Sequence, residues 1–160
     1  MNILKGKRIL VVDDEPDILE TLTALLGECI VDTAADFEAA RKLLEDNSYD
    51  AAVLDIMGVE GYHLLEATTK KGIPALMLTA HALSPDHFVE SISKGARAYI
   101  PKDKIADIAV FLKDILEAQG KGQSHLGRWF SRLEPYFEEK FGADWKKRRD
   151  AEFWRKFYYL

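Results

Sequence analysis

Five short apolar runs, each followed by a stretch with helical spacing, constrain this chain more than any other feature. Arg8-Ile9-Leu10-Val11-Val12 stops at Asp13-Asp14-Glu15-Pro16, and Ile18, Leu19, Leu22, Leu25 and Leu26 then share one helical face up to Gly27. A weaker run from Cys29 to Ala34 precedes Asp36, which suits a helix N-cap, with Phe37, Ala40, Leu43 and Leu44 as the inner face. Ala51-Ala52-Val53-Leu54 runs into Asp55 and leads to a helix from Gly61 to about Lys71. Ile73 to Thr79 is followed by Ser84-Pro85, a capped start with proline at the first helical position, and by a helix ending at Gly95. Ala98-Tyr99-Ile100 precedes Pro101-Lys102, and Asp103 or Asp107 opens a last helix carrying Ile108, Phe111, Leu112, Ile115 and Leu116. Strand–helix alternation with short links predicts a parallel sheet covered by helices on both faces, because each crossover is right-handed.

That topology decides what the polar residues can do. Asp13 and Asp14 follow the first strand, Asp55 ends the third, Thr79 ends the fourth and Lys102 follows the fifth. In a doubly wound sheet these carboxyl ends share one edge, where ligands bind. Clustered carboxylates repel one another and call for a cation, and an all-oxygen set suits Mg²⁺, or another hard divalent ion such as Mn²⁺. Beside such an ion one aspartate can attack phosphorus and form an acyl phosphate. Lys102 and the Thr79 hydroxyl would then neutralise the phosphoryl oxygens. Taken singly, each residue has a plainer reading: a charge pair at a helix N-terminus, a β-forming threonine, a solvated lysine. Together they would need unrelated accidents at four strand ends.

The residues Val11-Val12-Asp13-Asp14-Glu15-Pro16, Val53-Leu54-Asp55, Leu78-Thr79-Ala80, Gly95-Ala96 and Tyr99-Ile100-Pro101-Lys102 resemble the receiver domain of two-component response regulators over about residues 6–118. The resemblance implies a flavodoxin-like sheet in the order 2-1-3-4-5. It implies that Asp55 accepts a phosphoryl group from a histidine kinase or phosphotransfer protein. It further implies that Asp13, Asp14, Asp55 and the backbone carbonyl of Met57 hold Mg²⁺, and that Thr79 and Tyr99 form a switch pair. This chain departs from the pattern in two places. Ile56-Met57-Gly58-Val59-Glu60-Gly61 lacks the usual Met-Pro and is about two residues short, and Asp103 rather than proline follows Lys102.

Charge divides the chain. Residues 1–120 hold 12 Lys+Arg against 21 Asp+Glu, a balance of −9, whereas residues 121–160 hold 10 against 6, a balance of +4. All three tryptophans lie in the second part, beyond the break Gln119-Gly120-Lys121-Gly122-Gln123. The expected organisation is a receiver over residues 1–120 and a basic, aromatic-rich helical extension over 121–160. Ser124 would cap a helix with Leu126, Trp129, Phe130, Leu133, Phe137 and Phe141 on one stripe, kinked or divided at Pro135. A second helix would carry Trp145, Phe153, Trp154, Phe157 and Tyr158, with Lys146-Lys147-Arg148-Arg149 on its polar side. Such a stripe packs on the receiver or on a twin tail, or serves as a partner-binding arm through Trp129, Phe130, Trp145 and Trp154.

No apolar run approaches the ~20 residues of a membrane span. The lone Cys29 gives no disulfide or metal pattern, so a reducing, cytoplasmic setting is expected. His63, His81, His87 and His125 read as surface or cap residues. Among partners, an output protein and a homodimer, through the face of the fourth and fifth helices and fifth strand or through the C-terminal helices, lead. A membrane surface is a lesser alternative, and DNA is the least favoured because no helix-turn-helix is evident. Two other function classes share the fold. An aspartate-nucleophile phosphatase needs an acid two positions after Asp55, where Met57 stands. A flavin carrier needs a hydroxyl- and glycine-rich phosphate loop where Asp13-Asp14-Glu15 would repel phosphate. The expectation is a phosphorylation-controlled signalling switch, not a turnover enzyme.

Overall fold

In the computed structural model, which describes residues 2–57, 60–80, 83–121, 127–146 and 153–154, five parallel strands form one sheet in the order β2-β1-β3-β4-β5. The strands are β1 (Arg8–Val12), β2 (Ile30–Ala34), β3 (Ala51–Asp55), β4 (Ala75–Thr79) and β5 (Ala98–Pro101). The helices are α1 (Pro16–Leu25), α2 (Phe37–Asp46), α3 (Gly61–Lys70), α4 (Pro85–Ser93), α5 (Ile108–Lys121) and α6 (Gly127–Phe141). The alternation expected from sequence is thus the observed one, and the order confirms the resemblance. Local chemistry holds as read. Asp36 accepts a hydrogen bond from the Ala39 backbone N–H at 2.8 Å, and Ser84 Oγ accepts from that of His87 at 3.1 Å.

Every residue of β3 and β4 is buried, as strands covered on both faces must be. The edge strand β2 is mostly exposed or half-buried, but β5, the other edge, is buried throughout. A covered edge cannot recruit another chain. Part of that cover is α6, which packs on α5 and reaches Tyr99 of β5 through Phe137.

Of the two openings expected for the last receiver helix, the second holds: α5 starts at Ile108, directly after Asp107, and Lys102–Asp107 form a 3-10 segment before it. Two local expectations are narrowed or overturned by the fold. Pro135 does not divide the tail helix, because α6 runs through it from Gly127 to Phe141. A mid-helix proline costs about 3 kcal/mol. Trp129, Phe130 and Leu133 before it and Phe137 after it are all buried on one side, and that burial outweighs the lost hydrogen bond. Trp145 lies in the turn after α6, not in a second helix: Gly142 takes φ 93°, and the Trp145 N–H donates to the Gly142 carbonyl at 3.1 Å. The proposed cap Ser124 and most of the basic run, Lys147-Arg148-Arg149, lie outside the described residues, as do His81 and His125. His63 is exposed, whereas His87 is half-buried with its Nδ1 2.8 Å from the Tyr62 hydroxyl.

The aromatic cluster between receiver and tail centres on Phe88 of α4, which is fully buried. Its ring centroid lies 5.4 Å from those of Tyr99 and Phe137, 5.3 Å from Trp145, 5.6 Å from Phe130 and 5.9 Å from Trp154. Trp129, Phe130, Trp145 and Trp154, read as an interaction arm, are therefore buried against the receiver. Among the described residues no helix is long and apolar enough to cross a membrane.

Candidate phosphoacceptor site

Parallel pairing brings the strand ends together. Val12 is in register with Leu54, Asp55 with Leu78 and Thr79 with Pro101, so the loops after β1, β3, β4 and β5 open on one edge. Asp13 is fully buried and Asp55 nearly so, at 5% exposure, while Thr79 is buried at the end of β4. Carboxylates are seldom buried without a charged partner. Here the partner is Lys102, whose side chain is itself 10% exposed. Its ammonium lies 2.9 Å from Asp13 Oδ2, 3.2 Å from Glu15 Oε1 and 3.6 Å from Asp55 Oδ1. One cation from the end of β5 thus faces acids from the loops after β1 and β3.

The electrostatics are those of an under-neutralised acid cluster. Burial, then the Asp13 charge, push Asp55 up to about 6; Lys102 pulls it back, Asp14 adds to the rise, and the Met57 backbone N–H lowers it. Burial works against the Lys102 ammonium, but its 2.9 Å ion contact with Asp13 and the Asp55 charge hold its pKa above the ordinary lysine value. Asp13, Asp14 and Glu15 bring carboxylate oxygens within 4.8 Å of one another. The buried Asp13 Oδ2 has no aligned hydrogen bond, only its ion contact with Lys102. An all-carboxylate set with a spare buried oxygen fits a hard divalent ion such as Mg²⁺ or Mn²⁺.

All the acids, the alcohol and the amine expected from sequence therefore meet on one edge. Met57 is there too, with its side chain exposed. Two participants were missed. Glu15 was visible only as the third acid of the motif, yet it shares Lys102 with Asp13. Gly61 looked like a plain helix start, but a Cβ there would lie 2.1 Å from the Asp55 carbonyl oxygen and 2.7 Å from Ile56 Cα. Its N–H donates to the Ile56 carbonyl at 3.2 Å, and Glu60 before it takes a left-handed φ of 53°. Gly61 can come this close to the backbone of Asp55 and Ile56 only because it lacks a side chain. Gly61→Ala is expected to cost about 3 kcal/mol, since backbone must move rather than a side chain. A urea titration would read the loss, and an unchanged midpoint would show that the loop yields freely.

Thr79 and Tyr99, which the resemblance pairs, are also in contact. Tyr99 is fully buried, its hydroxyl hydrogen-bonded to Thr79. The Ser84 backbone N–H donates to that hydroxyl at 3.1 Å.

A doubly wound sheet with acids, a threonine and a lysine at its carboxyl edge defines a class: the phosphoacceptor switches built on this fold. The family comparison is specific, since the family model "Response regulator receiver domain" matches residues 9–112, and the chain belongs to that family. It is 36% identical over 105 residues to the transcriptional regulatory protein TcrA of Mycobacterium tuberculosis, an alignment covering 62% of this chain and 41% of TcrA. It is 38% identical over 96 residues to the heme response regulator HssR of Staphylococcus aureus, covering 57% of this chain and 39% of HssR. The chain thus spans about two fifths of the length of these relatives. A CheY-like response regulator receiver domain protein from Methanospirillum hungatei superposes with a TM-score of 0.66 at 32% identity, over 74% of this chain and 99% of that one.

Proposed function

We propose that this receiver accepts a phosphoryl group on Asp55 from a histidine kinase or phosphotransfer protein and passes the change on by protein–protein contact or self-association, in a cytoplasmic setting. Residues 1–120 would form the receiver and residues 121–160 the output extension. The observation that carries the reading is the Lys102 ammonium, 3.6 Å from Asp55 and 2.9 Å from Asp13 at the end of β5. An Asp55 oxygen forms the new O–P bond as the P–N bond of a phosphohistidine, or the P–O bond of an acyl-phosphate donor, breaks. Lys102 and the Thr79 hydroxyl take up the charge of the transferred group. Asp13, Asp14, Asp55 and the Met57 carbonyl are the residues that would hold Mg²⁺ or Mn²⁺. When bound, that ion supplies electrostatic neutralisation of the acids and of the phosphoryl oxygens. Nothing here provides the acid that a turnover phosphatase needs two positions after its nucleophile, since that residue is Met57.

The test is labelling with acetyl phosphate and Mg²⁺. One phosphoryl group per chain is expected, labile to hydroxylamine and mapped to the peptide holding Asp55, with none incorporated when EDTA removes the metal. Label on another peptide, or incorporation indifferent to EDTA, would refute the reading.

A further inference from the structure

We propose that α6 is a tethered ligand of the switch: it seats on the face formed by α4, β5 and α5 when Tyr99 points inward, so that loading of Asp55 and docking of the tail reinforce each other. The proposal rests on Asp55 as phosphoacceptor, and it concerns residues of this chain alone.

A continuous set of contacts leads from the site to the tail. Thr79 stands at the end of β4 beside the end of β3, and its hydroxyl is bonded to that of Tyr99. The Tyr99 ring lies 6.1 Å from Phe137 of α6, which is fully buried. A hydroxyl has one proton and two lone pairs. If Thr79, which in the unloaded site donates to the Tyr99 oxygen, turns its proton to a phosphoryl oxygen on Asp55, its lone pairs are freed to accept the Tyr99 proton, otherwise given to the Ser84 carbonyl at 3.3 Å, and the two bonds polarise each other. Loading therefore holds Tyr99 inward. An outward ring would need space on the face that Phe137 fills.

A second set of contacts enters from the other side of the site. Asp103, the neighbour of Lys102, accepts a hydrogen bond from the Tyr136 hydroxyl at 3.0 Å. Arg132 grips Asp114 of α5 through two bonds of 2.7 and 3.1 Å, and Arg128 pairs with Glu117 at 3.2 Å. The charges match the division of the sequence: a basic extension clamped on an acidic receiver. While α6 occupies this face, a second copy cannot pair through it. Coupling between two sites is reciprocal, so removing tail contacts must weaken loading.

The experiment uses the full chain with Mg²⁺ and beryllofluoride as the phosphoryl mimic. Amide hydrogen exchange over residues 127–141 is expected to slow about tenfold on loading. Phe137→Leu, which keeps apolar bulk, and Arg132→Ala, which leaves the aromatic cluster intact, are each expected to weaken beryllofluoride binding about fivefold or more. Loading that leaves α6 exchange unchanged, or speeds it, overturns the proposal while Asp55 keeps its role. Wild-type protein that binds no beryllofluoride overturns both. Variants that bind as tightly as wild type overturn the reciprocal coupling, and with it the proposal.

Discussion

Asp55→Asn is expected to lose phosphoryl incorporation by on the order of 100-fold or more, because an amide oxygen is no nucleophile toward phosphorus. The same change is expected to make the metal-free protein more stable. The Asp55 carboxyl, pushed up to about 6 by burial and by Asp13, binds its proton more tightly in the fold than in the unfolded chain. The stability it contributes is therefore complete below the ordinary carboxylate pKa and is lost as pH rises through about 6. At pH 7 the wild type holds mutually repelling charges in a buried crevice, and the asparagine variant does not. The gain should be about 1–2 kcal/mol, less than the shift alone implies because the neutral amide also forgoes the attraction of Lys102. Thermal midpoints in EDTA at pH 5 and pH 8 would show the difference: variant and wild type close together at pH 5, the variant higher at pH 8. Equal midpoints at both values would mean that Lys102 already neutralises the cluster. Equal incorporation by the two proteins would remove Asp55 from the chemistry.

Phe88→Ala is expected to be the most damaging change to stability, at about 3–5 kcal/mol. The ring is fully buried and joins receiver to tail: Tyr99 lies on one side, and Phe137, Trp145 and Trp154 on the other. No single neighbour can fill the space, since each is held by its own backbone element. The cavity would also uncover tryptophans, so their emission should shift to longer wavelength before the main unfolding transition. Trp129 and Trp145 keep buried indole N–H groups with no hydrogen-bond partner among the described residues, and each such group costs about 1–3 kcal/mol. The aromatic packing therefore has to exceed that cost, and its loss should favour release. A variant with unchanged denaturation midpoint and emission would show that α6 is held by its polar rim alone.

How much of this was legible in the sequence depends on the range of the interaction. Ile9 to Val12 and Ala51 to Leu54 advertised buried strands because burial on both faces leaves no room for polar residues. Asp36 and Ser84 announced their helices because a cap acts within one turn. Strand alternation then obliged Asp13, Asp55, Thr79 and Lys102 to share an edge, so the candidate site could be read before any distance was known. The part played by Gly61 was not legible. Its reason is a 2.1 Å approach to the Asp55 carbonyl, and helix-start glycines look alike in one dimension. Pro135 left a kinked and a divided helix both open, because its local cost was visible in the letters and the compensating burial of Phe137, which keeps α6 undivided, was not.

By itself, then, the order of residues determined the parallel sheet, the edge on which the candidate site sits and the acids, alcohol and amine gathered there. These follow from periodicity and from the handedness of crossovers, both local properties of the chain. Only the tertiary structure decided where the aromatic stripe of the tail would go. Packing on the receiver and packing on a second copy offer such a stripe the same kind of apolar cover. The choice fell to the seat around Phe88, and to Asp114 and Asp103 meeting Arg132 and Tyr136, contacts between segments far apart in the chain.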